Sequence, residues 1–422
     1  MRRKINRLKD VSSEFVNKLL KCSSARPSLG SDPEFFVADA KDKILAADKF
    51  FPGKKDPLRF DDDHKNLSLF FDGIQAEINV PASTCRETVS HYIRDGLRKA
   101  TEIIGKNNKI VMNPSVRVTK SLLKKADPEA LIFGCEPDFN AYTGKQNTEA
   151  MDASAHMYRY AGGHIHLGVS SAYGKKGQIE YDLAKTEEGH VKSIKFIDYL
   201  TGAVLVMMDK GPNAKRRRTK YGTAGCFRPT PYGIEYRTPS CWWLKSPAAM
   251  SLTFGLTRLA WNLLISRCDE ELIKHVGYSL EDVRGIVDEN DTVVAKRFWK
   301  TIRPYIAVSS IGIHNPLHLK SLRTPTGGCI RKTQDAFNLI NEHKMPKLHG
   351  GAGAPVYALA AFEYMVKHGS DLLITDNVSE EWSLYSRNKF YNTNGFVNGM
   401  YSKLNGNADF KKFQTDFITH IL

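Results

Sequence analysis

Two histidines stand one residue apart between glycines in the stretch "YAGGHIHLGVS", residues 160–170. Side chains alternate along an extended strand, so His164 and His166 share one face while Ile165 and Leu167 share the other. The first face offers imidazole nitrogens that bind metals or carry protons, and the second is apolar enough to join a core. Strand histidines are also commonly hydrogen-bonded or solvated, so the pair alone leaves both interpretations open.

Carboxylates recur at alternate positions in several stretches that otherwise have the pattern of core strands. A carboxylate that faces a core is costly unless it is paired or bound to a cation, so these strands together indicate a shared cation site. The residues are Asp32 and Glu34 in "GSDPEFF", Glu77 in "DGIQAEINV", Glu136 and Asp138 in "GCEPDFNAY", and Glu235 with Arg237 in "YGIEYRTPS".

Each of these groups also has an ordinary structural interpretation. Glu34 and Glu77 fit exposed positions on a half-solvated sheet. Glu136 fits a turn beside a proline, because acidic residues are common in turns. Glu235 and Arg237 fit a cross-strand ion pair.

The ligand types predict which metal such a site would hold. Carboxylate oxygens dominate, with one or two imidazoles and no thiolates, and this set favours Mg²⁺ or Mn²⁺ over zinc. Magnesium in such surroundings commonly clamps nucleotide phosphates, and its usual chemistry is phosphoryl transfer assisted by cationic side chains. An arginine such as Arg237 cannot ligate the metal, but it can hold a phosphate or carboxylate beside it.

The elements that must position these residues are predicted to be strands first and helices later. Strand patterns crowd into the first ~245 residues, whereas helical patterns dominate beyond Pro247, and this order favours an α+β architecture. An early helix is predicted from residue 84 to Gly105, which ends it. We divide the chain into a basic N-terminal extension (1–28), a catalytic sheet (29–245) and a mainly helical part (246–422) packed on the same domain.

The composition limits the class of protein. The 422 residues are 41% hydrophobic and 25% charged, typical of a globular protein, and no apolar run approaches the ~18 residues of a membrane span. The formal charge of +15 favours polyanionic partners such as nucleic acid, nucleotides or acidic substrates. Seven cysteines without Cys-x-x-Cys spacing suit reduced, buried thiols. The basic N-terminus lacks an apolar segment, so we expect a cytoplasmic protein without membrane contact.

The order of the motifs resembles the glutamine synthetase and glutamate-cysteine ligase superfamily. An acidic pair is followed by G-x-Q-x-E, then G-G-H-x-H-x-G, then a basic loop that leads to E-x-R. The chain is most similar to the phage-encoded carboxylate-amine ligases (amidoligases) of that fold, over about residues 29–245. The resemblance implies a curved, mainly antiparallel sheet with helices on its convex side and a helical C-terminal part.

The resemblance also implies which residues hold metals. It assigns ligand positions to Asp32, Glu34, Glu77, His164 and Glu235. The first motif is Asp-x-Glu where glutamine synthetases carry Glu-x-Glu, which shortens one ligand by a methylene. A further acidic residue usually precedes G-x-Q-x-E at longer spacing; Asp72 is a doubtful substitute and Glu136 an alternative, so the number of metals stays open.

Catalytic and nucleotide-binding positions follow from the same resemblance. It places His166 toward the nucleotide phosphates and Arg237 against the transferred phosphoryl group. The stretch "KRRRTKYG" lies where the superfamily has phosphate-binding arginines. We predict this role for Arg217 and Arg218, and the match among Arg216, Arg217 and Arg218 stays open; a solvated basic loop is the ordinary alternative. Two further candidates are Arg228, from its place before Glu235, and Lys54, whose stretch "FPGKKDP" fits a surface turn equally well.

The predicted function is ATP-dependent, Mg²⁺- or Mn²⁺-dependent formation of an amide bond from a carboxylate and an amine through an acyl phosphate. One alternative is a metal-dependent hydrolase in which the histidines and carboxylates activate water. Another is a basic nucleic-acid-binding or virion protein that keeps a decayed ligase fold. An anionic macromolecular acceptor fits the positive charge, and oligomerisation is left open.

Overall fold

The computed structural model has an α+β fold whose largest element is one mainly antiparallel sheet. This confirms the predicted class; the glutamine-synthetase-like curvature stays a prediction. The structure describes residues 12–20, 22, 25, 27–60, 66–84, 86–131, 138–147, 156–169, 178–245 and 247–313.

The sheet is assembled from short strands whose paired neighbours run antiparallel. The sheet strands are β1 (Ser28–Ser31), β2 (Glu34–Asp39), β3 (Ile44–Leu45), β4 (Leu58–Arg59), β5 (Ser68–Asp72), β6 (Gln75–Ser83), β7 (Asn108–Val111), β9 (Asp138–Asn140), β10 (Lys145–Asn147), β12 (Ile165–Gly168), β13 (Cys226–Thr230) and β14 (Gly233–Tyr236). Their order in the sheet is β10-β9-β13-β14-β12-β1-β6-β2-β3, with β4 and β5 joined beside β6 and β7 beside β2. A separate pair is formed by β8 (Ser115–Arg117) and β11 (Tyr158–Tyr160).

Local sequence explains two features of this sheet. The apolar stretch from residue 67 to 80 folds into the β5–β6 hairpin, because Gly73 adopts a left-handed φ of 66° that a side chain would strain. The stretch "KILAADKFF" has a strand pattern but is a strand only at Ile44–Leu45. A 3-10 helix follows at Ala47–Lys49, where the buried Ala47 bonds to the carbonyl of Ile74 instead of continuing the sheet.

Helices cover the apolar side of the sheet. In the described residues before 246, the α-helices are α1 (Ser13–Leu20), α2 (Arg86–Ile104), α3 (Lys120–Leu123), α4 (Ile179–Lys185), α5 (Glu187–Ile197), α6 (Ala203–Leu205) and α7 (Pro212–Arg218), and a π-helix at Asp198–Gly202 joins α5 to α6. Helix α2 packs on β6 and β1, and α5 packs on β13. The predicted end of α2 is confirmed, since Gly105 follows it with φ of 74°.

The part of the chain from 247 to 313 is helical, as predicted. It contains α8 (Pro247–Ile265), α9 (Asp269–Val276), α10 (Leu280–Asp288) and α11 (Thr292–Ile313). Helix α8 begins at the predicted Pro247 and packs on α2 and α5. Helix α11 packs against α1, whose Phe15 and Leu19 are wholly buried. The helices predicted after residue 350 lie outside the described residues.

The described cysteines and helices relate to two expectations from the composition. The described cysteines at 22, 226, 241 and 268 are free thiols and buried, as predicted. Within the described ranges, every helix is too short or too polar to traverse a bilayer.

Candidate metal centre

Strand register places the predicted site residues in two rows on one face of the sheet. Residues directly opposite on antiparallel strands point to the same face. Glu34 on β2 is opposite Glu77 on β6, and His166 on β12 is opposite Glu235 on β14. Ile165 and Leu167 point the other way and are fully buried in the core, so the predicted division of β12 into a polar and an apolar face is confirmed.

The side chains form two groups of three residues. Within each group, the ligand atoms lie within 4.8 Å of one another. We call Glu34, Asp72 and Glu77 the acidic cluster, and Asp32, His166 and Glu235 the histidine cluster. Asp72, the doubtful candidate, lies at the end of β5 and stands beside the two glutamates. The alternative, Glu136, lies outside the described residues.

The acidic cluster holds more negative charge than its surroundings balance. Glu34 and Glu77 are 5% and 7% exposed. Burial raises the pKa of Glu77 well above its usual range, and the neighbouring Asp32, Asp72 and Glu34 raise it further. Burial also raises the pKa of Glu34, which accepts a hydrogen bond from the backbone N–H of Gly162. A cation bound here would relieve both the desolvation and the repulsion.

Lys54 lies beside a residue that neighbours the acidic cluster. Its Nζ is 5.6 Å from the centre of the Phe70 ring, and Phe70 is the residue opposite Glu77 on β5. The lysine is exposed, and its charge lowers the pKa of Glu77 in partial opposition to burial. The predicted phosphate-binding role therefore has a suitable position, and it stays a prediction.

The histidine cluster is closer to electrostatic balance. Asp32 Oδ1 lies 3.1 Å from Nδ1 of His164 and 3.2 Å from Nε2 of His166. Burial acts to raise the pKa of Asp32, but the two imidazoles outweigh it and hold that pKa well below its usual range. Burial acts to lower the pKa of His166, and Asp32 reverses the effect so that this pKa is raised.

Two arginines hold Glu235. Arg228 donates from Nη1 to Oε2 at 3.1 Å, and Arg237 donates to Oε1. Arg237 also has its Nε 3.4 Å from a carboxylate oxygen of Asp138. The ion pair between Glu235 and Arg237, which the sequence offered as the ordinary interpretation, is present, and it lies at the cluster itself.

Arg217 and Arg218 lie in a different environment from the one that the sequence suggested. Both are buried on α7, and both donate to the backbone carbonyl of Thr238 at 2.8 Å. Arg217 also bonds to Pro239, and Arg218 to Gly222. These bonds fasten the segment after β14 to α7. Both guanidinium groups therefore have a structural role. Nucleotide binding by either of them stays a prediction.

Sequence reasoning missed two tyrosines at the site. The hydroxyl of Tyr221 contacts Nε2 of His164 and accepts from Nη2 of Arg237 at 2.8 Å. The hydroxyl of Tyr232 lies 2.8 Å from Nδ1 of His166. Tyr232 stands in the turn of the β13–β14 hairpin. In the sequence, the turn residues "TPYG" directly before "IEYR" indicate that Tyr232 lies near Glu235.

Close packing explains the glycines of "AGGHIH". A Cβ at Gly162 would lie 2.2 Å from Nε2 of His164, and one at Gly163 would lie 2.3 Å from the indole nitrogen of Trp243. The imidazole of His164 therefore crosses directly over the backbone of residue 162. This packing fixes the ring where Nδ1 meets Asp32.

The donor set fits a divalent cation in each cluster. The acidic cluster offers carboxylate oxygens, the ligands that Mg²⁺ prefers. In the histidine cluster, Nε2 of His166 is a buried atom without a hydrogen-bond partner among the described residues, and it faces Asp32. An imidazole nitrogen beside two carboxylates is a ligand set that Mg²⁺ tolerates and Mn²⁺ accepts readily.

Comparison with known proteins supports the resemblance found in the motifs. Residues 188–281 match the model of the family described as phage phiEco32-like COOH.NH2 ligase type 2. The matched segment carries Glu235, both of its arginines and both tyrosines. It confirms the predicted resemblance to the phage carboxylate-amine ligases. No curated protein and no solved structure matches the chain.

Proposed function

We propose that the protein is an ATP-dependent carboxylate-amine ligase that uses Mg²⁺ or Mn²⁺ on a glutamine-synthetase-like sheet. The observation that carries the proposal is the adjacency of two carboxylate clusters on one sheet face. Asp32 of the histidine cluster and Glu34 of the acidic cluster are two residues apart in the chain, and Glu34 accepts from the N–H of Gly162, two residues before His164. The match to a ligase family across the strand that carries Glu235 supports the same conclusion.

The reaction joins two substrates at the cost of one phosphoanhydride bond. A substrate carboxylate oxygen attacks the γ-phosphorus of ATP, which forms an acyl phosphate and releases ADP. An amine then attacks the acyl carbon, the amide C–N bond forms, and inorganic phosphate leaves while the amine loses a proton. Bound divalent ions would neutralise phosphate charge and align the attacking and leaving oxygens.

The chain itself supplies ligands and cationic positioning. The acidic cluster and the histidine cluster would hold the ions. Lys54 is exposed beside the first and Arg228 is half-buried beside the second, so both can reach phosphate oxygens from the open side. Arg237 is buried against Glu235 and fixes that carboxylate. One such cation at a developing negative charge is worth on the order of 3 kcal/mol of barrier.

A turnover experiment tests the proposal. Purified protein is incubated with ATP, Mg²⁺ and pooled amines together with pooled carboxylates, including anionic polymers such as acidic peptides, and ADP release is measured with mass spectrometry of the products. We expect ADP release to require both substrate classes and to be lost in Glu77→Gln. The control is Glu270→Gln, an exposed carboxylate on α9.

Two results would contradict the ligase proposal. The first is hydrolysis of amides or esters without ATP and with a preference for zinc, which would favour the hydrolase alternative. The second is steeply salt-dependent binding of DNA or RNA without any binding of ATP, which would favour a nucleic-acid-binding protein.

A further inference from the structure

The two histidines turn different ring nitrogens toward the same carboxylate oxygen. Nδ1 of His164 and Nε2 of His166 both face Oδ1 of Asp32, at 3.1 and 3.2 Å. Nδ1 of His164 also lies 3.4 Å from Oε1 of Glu235. His164 adjoins the histidine cluster through Asp32 and Glu235, and a cation shared by the two rings would use the lone pair of Nδ1 on His164 and of Nε2 on His166. The two imidazoles would then need opposite tautomers.

The outer nitrogen of each ring meets a tyrosine hydroxyl. Nε2 of His164 contacts the hydroxyl of Tyr221, and the two rings are edge-on with centres 5.8 Å apart. Nδ1 of His166 contacts the hydroxyl of Tyr232 at 2.8 Å, and these rings are stacked with centres 5.9 Å apart. Two unrelated segments, the loop after α7 and the β13–β14 turn, thus supply the same functional group to the two rings.

A tyrosine hydroxyl can hydrogen-bond to either tautomer of a neutral imidazole, because it can both donate and accept. Without a cation, the inner nitrogen carries the proton and turns it toward Asp32, while the outer nitrogen accepts from the tyrosine O–H. With a cation, the inner nitrogen must offer its lone pair, so the proton resides on the outer nitrogen and the tyrosine oxygen accepts it. A carboxylate or ammonium in the same place would suit only one of these states.

We propose that Tyr221 and Tyr232 are positioning residues that let His164 and His166 exchange tautomers when a divalent cation binds the histidine cluster. The proposal deepens the proposed function, since it rests on that cluster being a cation site. Neither tyrosine needs to touch the substrate. Each acts through its histidine, by donating its hydroxyl proton in one state and accepting a proton in the other.

The two tyrosines differ in how firmly they are held. The ring of Tyr221 lies against two guanidinium groups, with the carbon of Arg217 4.7 Å and that of Arg237 5.5 Å from the ring centre. Its oxygen also accepts from Arg237. Tyr232 is 42% exposed on a hairpin turn. We therefore expect the loss of the Tyr221 hydroxyl to disturb its histidine more than the loss of the Tyr232 hydroxyl.

Histidine NMR reads the tautomers directly. Protein labelled with ¹⁵N at histidine is recorded without metal and with Mg²⁺, and the two signals are assigned with His164→Gln and His166→Gln. We expect Mg²⁺ to move His164 to the Nε2–H form and His166 to the Nδ1–H form. In Tyr221→Phe only His164 should lose its defined tautomer, and in Tyr232→Phe only His166 should; Tyr181→Phe on α4 is the matched control.

Metal affinity provides a second measurement that is independent of turnover. The probe is Mn²⁺, whose free concentration is read by electron paramagnetic resonance. We expect each tyrosine variant to weaken one Mn²⁺ site by about tenfold or more, with a larger loss for Tyr221→Phe.

The outcomes separate this inference from the proposed function. Correct tautomer changes in a protein that shows no ligase activity would support the tyrosine roles and count against the ligase. Histidine signals that are identical in wild type and both folded tyrosine variants would overturn the roles, whatever the turnover. Because the wild-type spectra need no variant, one shared tautomer for the two histidines with Mg²⁺ bound would also overturn them.

Discussion

The acidic cluster and the histidine cluster lie on the same sheet face, but the pKa values of their carboxyl groups are shifted in opposite directions. In the acidic cluster, carboxylates are buried together, and the pKa of Glu77 rises because protonation is the available relief. In the histidine cluster, imidazoles and arginines already accompany the acids, and the pKa of Asp32 falls. A buried acid without a counter-charge is relieved by protonation or by an added cation, whereas a paired one stays ionised without either.

This difference assigns different tasks to the two clusters. The acidic cluster gains most from an ion, because an ion removes repulsion that the folded chain otherwise tolerates. The histidine cluster is organised before an ion arrives, since Arg228, Arg237 and the tyrosines fix its members. Under the proposed function, we expect the first to bind its ion tightly and the second to hold an ion that changes partners during the reaction.

The largest expected effect is on turnover. Glu77→Gln should lower kcat/KM for ATP by roughly 100-fold or more, because it removes the charge that holds the ion against the phosphates. ADP release at saturating Mg²⁺ measures this loss, with Glu270→Gln as the control. Full turnover in Glu77→Gln would show that the acidic cluster has no part in the chemistry.

Stability without metal should change in opposite directions in the two clusters. Glu77→Gln should stabilise the metal-free protein by about 1–2 kcal/mol, because the neutral amide needs neither protonation nor a counter-charge beside the other buried acids. Asp32→Asn should destabilise it by about 3 kcal/mol, because it strips both imidazoles of their partner. Urea denaturation in a chelating buffer measures both. Changes of the same sign would refute the contrast between the clusters.

The pH dependence of the metal-free protein follows from the same pKa shifts. The folded pKa of Glu77 is raised, so its contribution is favourable below its ordinary value near 4.5 and is lost as the pH rises through the folded pKa. The folded pKa of Asp32 is lowered, so its contribution is present above about 3.8 and is lost in acid. Saturating Mg²⁺ should flatten the alkaline loss, which Glu77→Gln should also do.

Asp198 offers a buried acid away from both clusters for comparison. Burial raises the pKa of Asp198 to about 7, despite bonds from the hydroxyl of Tyr236 and the N–H of Gly225. Stability should therefore fall by about 2 kcal/mol between pH 5 and 7 from this group alone. Asp198→Asn should remove that slope, and Mg²⁺ should leave it unchanged. If Mg²⁺ abolished the slope, the metal effect could not be assigned to the acidic cluster.

The smallest expected effect concerns Lys54. The side chain is exposed, so solvent screens its charge, and Lys54→Met should raise the KM for ATP only about two- to threefold. Mn²⁺ binding by the histidine cluster should stay the same, because Lys54 lies beside Phe70 and Glu77. A larger loss of Mn²⁺ from the histidine cluster than from the acidic cluster would contradict this placement.

The sequence predicted those site residues that follow from the alternation of side chains along a single strand. Glu34, Glu77, the histidine pair and Glu235 converge because strand alternation and antiparallel register are local rules. Asp72 was only a doubtful candidate, since its membership depends on the turn at Gly73 that folds β5 back on β6.

Residues whose roles depend on distant backbone could not be predicted. The guanidinium groups of Arg217 and Arg218 are taken by carbonyls of residues 237–239, and no local pattern shows which carbonyls a basic helix will meet. Tyr221 and Tyr232 carry no distinctive motif, because a tyrosine hydroxyl becomes informative only when its partner is known. Sheet curvature likewise depends on the whole set of strands and not on any one segment.

The packing of α1 on α11 has a consequence for synthesis of the chain. Helix α1, with its buried Phe15 and Leu19, packs on a helix that ends at Ile313. Phe15 also stacks on His275 of α9, and Sγ of Cys22 lies 3.7 Å from Sγ of Cys268. At ribosomal speeds of about 5–20 residues per second, roughly 15 seconds or more pass before the nascent chain can bury this apolar surface. A chaperone would have that interval in which to shield the first helix.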